Sequence, residues 1–261
     1  MGRNLTDSVQ RAFTILEAFS IISPALTLRE VADGAGLPKV TALRYLRTLT
    51  NLGYVLRDTD PSRYKLGPKV LHLGFTVLGS IELRKVAIPY LEELSKIADQ
   101  NVSLGILDNT EVLYVERIRR RHIVDMYGVG SRISAWRTAT GSVILAFLPD
   151  HELQGFIARL LEENGVGKAI GPKGSLLLKT LKNVRKEGYA VNERYTSGRR
   201  VIAAPVLNSD GFAEGAVNIS VYGDEITRGQ LVERYLPMLL ETAQKISAAR
   251  GYVGPSNSHM E

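Results

Sequence analysis

Apolar residues at the start of the chain recur on helical rather than strand spacing. Over residues 8–19, SVQRAFTILEAF, a stripe of Val9, Ala12, Phe13, Leu16 and Phe19 predicts an amphipathic helix, with Ser8 placed to cap it. SIISPALT follows as a turn. Thr27-Leu28-Arg29-Glu30 has the form of a capping box, in which the threonine hydroxyl accepts from the amide three residues on and the glutamate reaches back. The helix it opens, LREVADGAG, turns Leu28, Val31 and Ala32 inward and fails at Gly34 and Gly36. Pro38 then suits the first position of a third helix, Val40 to Leu52. At about 100° per residue, Ala42, Leu43, Leu46, Leu49 and Leu52 fill one half of its wheel. Val40, Thr41, Arg44, Arg47 and Thr48 fill the other half, with Tyr45 on the border. Gly53 ends the helix, and YVLR and RYKLG alternate as strands around the turn DTDPS. Three helices followed by a two-stranded hairpin predict a winged helix-turn-helix over residues 8–70.

Beyond Pro68 the pattern changes. In PKVLHLGFTVLGSI, residues Val70, Leu71, Leu73, Phe75, Val77, Leu78 and Ile81 leave no polar face, so this helix must be covered on several sides. It is read as a linker over 71–84 that pairs subunits; burial within its own chain is the alternative. An amphipathic helix, ELRKVAIPYLEELSKIADQ, comes next. The runs NVSLGILD, EVLYVERI, HIVDMY, RVIAAPVL and AEGAVNISVY read as strands. ATGSVILAFL, DHELQGFIARLL, SLLLKTLKNVRKEG and a last segment from about Thr227 to Ala249 read as helices. This alternation predicts a mixed, largely antiparallel sheet with helices over 85–250, with Asn208-Ser209-Asp210-Gly211 turning one hairpin. Residues 251–261 form a polar tail.

Charge sharpens the picture at one place. The chain carries 33 lysines and arginines against 27 acids, a formal +6. Most of that excess lies between 37 and 69, where Lys39, Arg44, Arg47, Arg57, Arg63, Lys65 and Lys69 face only Asp58 and Asp60. The outward half of the third helix has no acid at all. Arginines there suit phosphates or the O6/N7 edge of guanine, whereas a solvated basic face is the plainer alternative. Candidate DNA contacts are Thr27, Lys39, Val40, Thr41, Arg44, Tyr45 and Arg47, with Arg57, Arg63 and Lys65 of the wing on the backbone.

Composition is that of an ordinary globular protein, 44% hydrophobic and 23% charged. With no cysteine, disulfides, thiolate metal sites and thiol nucleophiles are excluded, and the lack of an export signal fits the cytoplasm. No stretch has the apolar length needed to span a bilayer. Catalytic signatures are missing as well. There is no G-x-S-x-G, GVGSRI lacks a third glycine, and GVGKAIGPKG fails the phosphate-loop spacing. His72, His122, His151 and His259 share no metal-ligand spacing. No metal and no cofactor is expected, and the second domain reads as a receptor, not an enzyme.

TLREVADGAGLPKVTALRYLRTLTNLGYV, the wing ending RYKLG, GSRISAWRTATGSVILAF and GYAVNERYTSGRRVIAAPVLNSDGFAEGAVNIS together resemble the IclR-type transcriptional regulators over about residues 7 to 250. The resemblance implies an α+β chain: a winged helix-turn-helix, a linker helix and a GAF-like effector-binding domain. It implies homodimers or dimers of dimers on double-stranded operator DNA, with RNA polymerase a further candidate partner. A small organic acid would gate repression or activation. It places the pocket at Ala139, Thr140 and Gly141 and at the strand residues Val201, Asn218 and Ser220. Bottom-up, Ala-Thr-Gly before VILAF is a helix N-terminus that favours a carboxylate, and Asn218 and Ser220 share one strand face; plain sheet-surface polarity is the alternative for those two. The chain departs from the common pattern with Ser134 and Trp136 for proline and histidine, and with Ser142 for lysine. Val191 and Val201 stand where relatives carry polar groups. These changes predict a more apolar pocket for a flatter ligand. The aromatic at 136 and Asn-x-Ser at 218–220 are similar to regulators of protocatechuate and 4-hydroxybenzoate breakdown, so an aromatic acid is favoured. Arg132 and Arg137 are candidates to pair its carboxylate, or else are surface arginines. The remaining readings are an enzyme with an accessory DNA-binding domain and a ligand-independent architectural DNA binder.

Overall fold

Local chemistry sets the helix boundaries in the N-terminal unit of the computed structural model, which describes residues 6–120, 128–163, 165–192, 198–222 and 226–254. Helix α1, Asp7–Glu17, starts after Thr6, so Ser8 lies inside it and does not cap it. It meets the core through Ile15 with Leu16 alongside, and Phe19 just past its end joins them, while Val9 and Phe13 stay more than half exposed. The expected stripe is therefore rotated toward Ile15. Thr27 opens α2, Leu28–Gly34, with a complete capping box: its hydroxyl accepts from the Glu30 amide, and the Glu30 carboxylate accepts from the Thr27 amide at 2.7 Å. These bonds, the backbone one foremost, lower the Glu30 pKa below its ordinary value. Pro38 stands at the N-cap of α3, Lys39–Asn51, one place earlier than expected. Lys69 donates to the Leu52 carbonyl at 3.0 Å, closing the C-terminal end of α3.

The wing strands β2, Val55–Arg57, and β3, Arg63–Leu66, form the expected hairpin. The turn expected over 20–27 ends instead in β1, Ala25–Thr27, which pairs with the other edge of β3 to give the order β1-β3-β2. Three residues carry no strand signal of their own; the unpaired backbone groups along β3 recruit them. Ile15, Phe19, Val31, Ala42, Leu46, Leu49, Val55 and Tyr64 make the core. Helix α4, Lys69–Ser80, contributes nothing to it: Leu71, Leu73, Phe75 and Val77 are all exposed, Phe75 by 65%.

The C-terminal unit begins at Ile81. Its elements run α5 (Glu82–Ala98), β4 (Asn101–Asp108), β5 (Glu111–Ile118), β6 (Arg132–Ser134), α6 (Ala139–Ala146), α7 (Asp150–Glu162), α8 (Val166–Ile170), α9 (Ser175–Glu187), β7 (Ala190–Asn192), β8 (Arg199–Leu207), β9 (Ala213–Tyr222) and α10 (Arg228–Ala249). The sheet order is β6-β5-β4-β9-β8-β7, and every pairing among the described residues is antiparallel, so the mixed sheet expected from alternation is corrected. Hairpins join β4 to β5 and β8 to β9, which removes any need for a parallel crossover. Short β6, β7 and α8 were not anticipated. The strand expected over 122–127, with His122, and His259 in the tail lie outside the described residues.

One sheet face carries α6, backed by α9 and α7. The other carries α5 and α10, whose Leu231, Tyr235, Leu239, Thr242 and Ile246 are buried at spacings of three and four. Thr227 and Gln230 cap α10 with a second capping box. Asn208 accepts from the amides of Asp210 and Phe212, fixing the β8–β9 turn.

Thr27→Ala is expected to lower the stability of α2 by about 1 kcal/mol, and Thr27→Ser to leave it nearly unchanged. Faster amide exchange in α2 for the alanine variant alone is the readout. Equal exchange in both variants would show the box to be dispensable.

Candidate functional site

The first candidate surface is the outer side of α3. Ala42, Leu46 and Leu49 are buried, which turns Lys39, Val40, Arg44, Arg47 and Thr48 outward; Val40 is 82% exposed. Thr41 and Tyr45 are half-buried at the border, and the Arg44 guanidinium lies over the Tyr45 ring. Among the described residues neither Arg44 nor Arg47 has an ion-pair partner. The wing cations differ. Arg57 stacks 4.0 Å from the Tyr64 ring and donates to the Pro61 carbonyl. Arg63 donates to the Ala25 carbonyl and lies 3.6 Å from both Glu30 and Asp60. Lys65 bonds Asp58 at 2.9 Å and so holds that carboxyl below its usual range. Thr27 is engaged by Glu30. Of the ten residues expected on DNA, those on α3 are presented together, whereas Thr27, Arg57, Arg63 and Lys65 are engaged within the local fold.

The second candidate is a cavity between α6 and the sheet. It is lined by Tyr114, Arg117, Ile133, Thr138, Ala139, Thr140, Arg199, Val201, Asn218 and Ser220, and is partly open to solvent. Register explains the membership. Antiparallel partners share a face, so Ser103, Asn218 and Ala203 form one row and Val201, Ser220 and Asn101 another. Arg199 lies two residues before Val201, on the same face. Tyr114 and Arg117, three apart, would face opposite ways on a regular strand. A β-bulge at Val115 reverses that: Gly105 opposes Tyr114, Leu104 opposes Glu116 and Ser103 opposes Arg117. The backbone groups freed by the bulge are satisfied. Arg84 donates to the Val115 carbonyl at 3.0 Å and to the Glu116 carboxylate at 2.7 Å, and Glu116 accepts from the Arg117 amide.

Two glycines permit the close packing around α6, Gly105 against the sheet and Gly141 against the turn before the helix. A Cβ at Gly105 would sit 2.6 Å from Val112 Cγ1 and 3.0 Å from Thr140 Cγ2; one at Gly141 would meet the Ala135 carbonyl. Thr140 is fully buried at the centre. Its hydroxyl accepts from the Asn218 amide at 2.8 Å and lies 3.4 Å from the Tyr114 hydroxyl. Thr138 caps α6 by accepting from the Gly141 amide at 2.8 Å, so that amide is occupied. Burial, and then the neighbouring Arg199 charge, push the Arg117 pKa down to about 10.

Ala139, Thr140, Val201, Asn218 and Ser220 from the sequence reading thus come together, and Arg132, Trp136, Arg137, Gly141 and Val191 do not line the cavity. Arg132, at the sheet edge, bonds Asp108 at 2.6 Å and Glu111 at 2.8 Å, and the Glu111 bond foremost raises its pKa. Trp136 packs into the core beside α6, with Arg137 over its ring. Gly141 lies beneath, against Ala135. Val191 opposes Ile202, which puts it on the α10 side, and Asn192 takes the inner position. Because Trp136 and Val191 are elsewhere, the expected apolar lining is replaced by one with two arginines. Arg199 was findable from strand alternation; Arg117 was hidden by the bulge.

Comparison with known proteins finds matches to both parts of the chain. The IclR helix-turn-helix domain matches residues 8–59, and the bacterial transcriptional regulator IclR C-terminal domain matches residues 75–248. The Pca regulon regulatory protein of Pseudomonas putida is 30% identical over 92% of this chain and 82% of its own. The p-hydroxybenzoate hydroxylase transcriptional activator of Acinetobacter baylyi is 33% identical over 90% of this chain and 89% of its own. The crystal structure of Thermotoga maritima IclR superposes with a TM-score of 0.70 at 28% identity, covering 94% of this chain and 99% of that one.

Arg84→Met removes the donor to a part-buried carbonyl and carboxylate. It is expected to cost the C-terminal unit about 1–3 kcal/mol. Urea unfolding followed by the fluorescence of Trp136, the single tryptophan, reads that unit; an unmoved midpoint would leave the bulge without its clamp in solution.

Proposed function

The chain belongs to the IclR family of bacterial transcriptional regulators, and from that premise we propose that it is a cytoplasmic homo-oligomeric switch in which α3 reads operator DNA and an organic acid in the α6 cavity sets the affinity. The observation that carries the DNA reading is the split of α3: Ala42, Leu46 and Leu49 are buried in the N-terminal core, although Leu52, expected with them, is 52% exposed past the helix end, and the arginine side has no competing acid. Thr41, Arg44 and Arg47, with Lys39 and Val40 at the helix start, contact base edges and adjoining phosphates. Tyr45 supports Arg44 by its ring. Arg57 reaches the backbone, while Arg63 and Lys65 add field and hold the wing in shape.

The effector reading rests on a cavity beneath α6 that is lined by hydroxyls, an amide and guanidinium groups. Such donors recognise a carboxylate and a ring hydroxyl. The names of two relatives, one for the Pca regulon and one for p-hydroxybenzoate hydroxylase, favour an aromatic acid. Among the described residues, no carboxylate, histidine or lysine lines the cavity to act as a general base, which supports sensing without turnover. Occupancy shifts the balance between subunit arrangements that do and do not set two α3 helices one helical turn of DNA apart. Pairing runs through α4, whose Leu71, Leu73, Phe75 and Val77 are exposed. No described helix is long and apolar enough to cross a membrane.

With an operator selected from random duplexes, Arg44→Ala is expected to weaken specific binding by about 1–3 kcal/mol in fluorescence anisotropy. Unchanged affinity would remove α3 from the interface. Replacing Leu73 and Phe75 together by serine is expected to move the protein toward monomer in sedimentation velocity; an unaltered oligomer would place the pairing elsewhere.

A further inference from the structure

A groove on the C-terminal unit lies between α7 and the start of α9 and shares no lining residue with the α6 cavity. Leu153, Ile157, Ala158 and Leu161 of α7 form one wall, and Leu178 of α9 stands opposite, with Lys173 from the turn before it. Asp150 is the far end of the α7 wall, which makes it roughly 16 Å long, or about three helical turns. The floor is the edge of the core: Leu153, Ile157 and Leu178 belong to the cluster around α6, while Leu161 is 38% exposed. The two helices run antiparallel. A Cβ at Gly174, just before α9, would sit 2.8 Å from Ile157 Cγ2, whereas Arg185 near the other end lies over Phe147, three residues before α7 begins. The turn holds Lys173 at φ 52° and ψ 26°, a left-handed conformation that side chains rarely adopt and that recurs where proteins bind.

Charge is concentrated on the same side. Between 165 and 188, Lys168, Lys173, Lys179, Lys182, Arg185 and Lys186 stand against Glu187 alone. That excess equals the one at 37–69 and leaves the rest of the chain acidic on balance. Lys182 follows Leu178 by one turn, so it lies on the groove side of α9, with Lys179 and Lys186 on the solvent side of that lip. Among the described residues none of Lys173, Lys179, Lys182 and Lys186 has an ion-pair partner, although Asp150 lines the same groove. A nucleic-acid duplex would use the cations and leave the apolar wall wet, whereas a peptide helix would use both. We propose that the groove docks an acidic amphipathic helix of a partner protein, with its apolar stripe on the α7 wall and its carboxylates along Lys173, Lys179 and Lys182. Apolar anchors at i, i+3 or i+4, and i+7 match a wall of this length. The lysines steer the helix and set its direction, and the apolar wall supplies the affinity.

The test is fluorescence anisotropy on the full-length protein with a labelled synthetic peptide of about five helical turns, leucine along one face and glutamate elsewhere, beside a shuffled peptide of the same composition. The ordered peptide is expected to bind about tenfold or more tighter than the shuffled one, because only it presents a row of apolar anchors. Replacing Lys179 and Lys182 together by glutamate is expected to weaken it about tenfold or more by setting like charges against each other. Ala158→Arg crowds the wall while adding a cation, so it is expected to weaken the peptide too, where a merely electrostatic surface would hold it more tightly. All three positions are exposed, so the variants test the surface and not the core. Equal binding of the two peptides, binding of neither, or tighter binding to Ala158→Arg would each overturn the proposal. Lysine variants that lose affinity for duplex DNA but keep it for the peptide would overturn it as well and assign the basic lip to DNA.

Discussion

Leu46 cannot be buried without turning Arg44 and Arg47 away from the core. On a helix, residues one place on and two places back from a buried position point about 100° and 160° from it, so committing one side fixes the other. The N-terminal unit spends its apolar residues on that commitment: Ile15, Phe19, Val31 and Val55 close around Ala42, Leu46 and Leu49. The wing then follows from the same core, because Val55 and Tyr64 anchor its strands there, while Arg63 stitches it to β1 through the Ala25 carbonyl. A basic outer side alone would mean little; held rigidly on a packed helix it becomes a shape that a groove can fit.

The C-terminal unit solves a different problem, which is to keep polar groups inside without leaving them unsatisfied. Thr140, Asn218 and Tyr114 form a short network at the heart of the domain, far more costly to break than to keep. Gly105 lets the helix approach the sheet closely enough for that network to form, and Gly141 lets it fold back against Ala135. Polarity and close packing, which normally oppose each other, are combined here by removing side chains where backbone must approach.

Much of this was legible beforehand. Both helix and strand periods were strong in the first seventy residues, and the Thr27 capping box could be read directly from residue order. What escaped depends on partners distant in sequence. β1 is too short to announce itself and exists because β3 offers an edge. Val191 was assigned to the pocket by analogy, but its face is set by pairing with Ile202. Arg132 and Arg137 looked available because charge alone says nothing about neighbours; Asp108 and Glu111 take the first, and Trp136 underlies the second. Arg117 was lost to a single inserted residue, since alternation counted from Tyr114 gives the wrong side.

That inserted residue also joins the two surfaces of the sheet mechanically. Tyr114 and Arg117 project inward from either end of the bulge, while its outer side is gripped by Arg84 in the first turn of α5, four residues past Ser80 in sequence. The peptide unit after Val115 therefore answers to both faces of the sheet at once: its carbonyl is held from the α5 side, and the residues that flank it line the cavity on the α6 side.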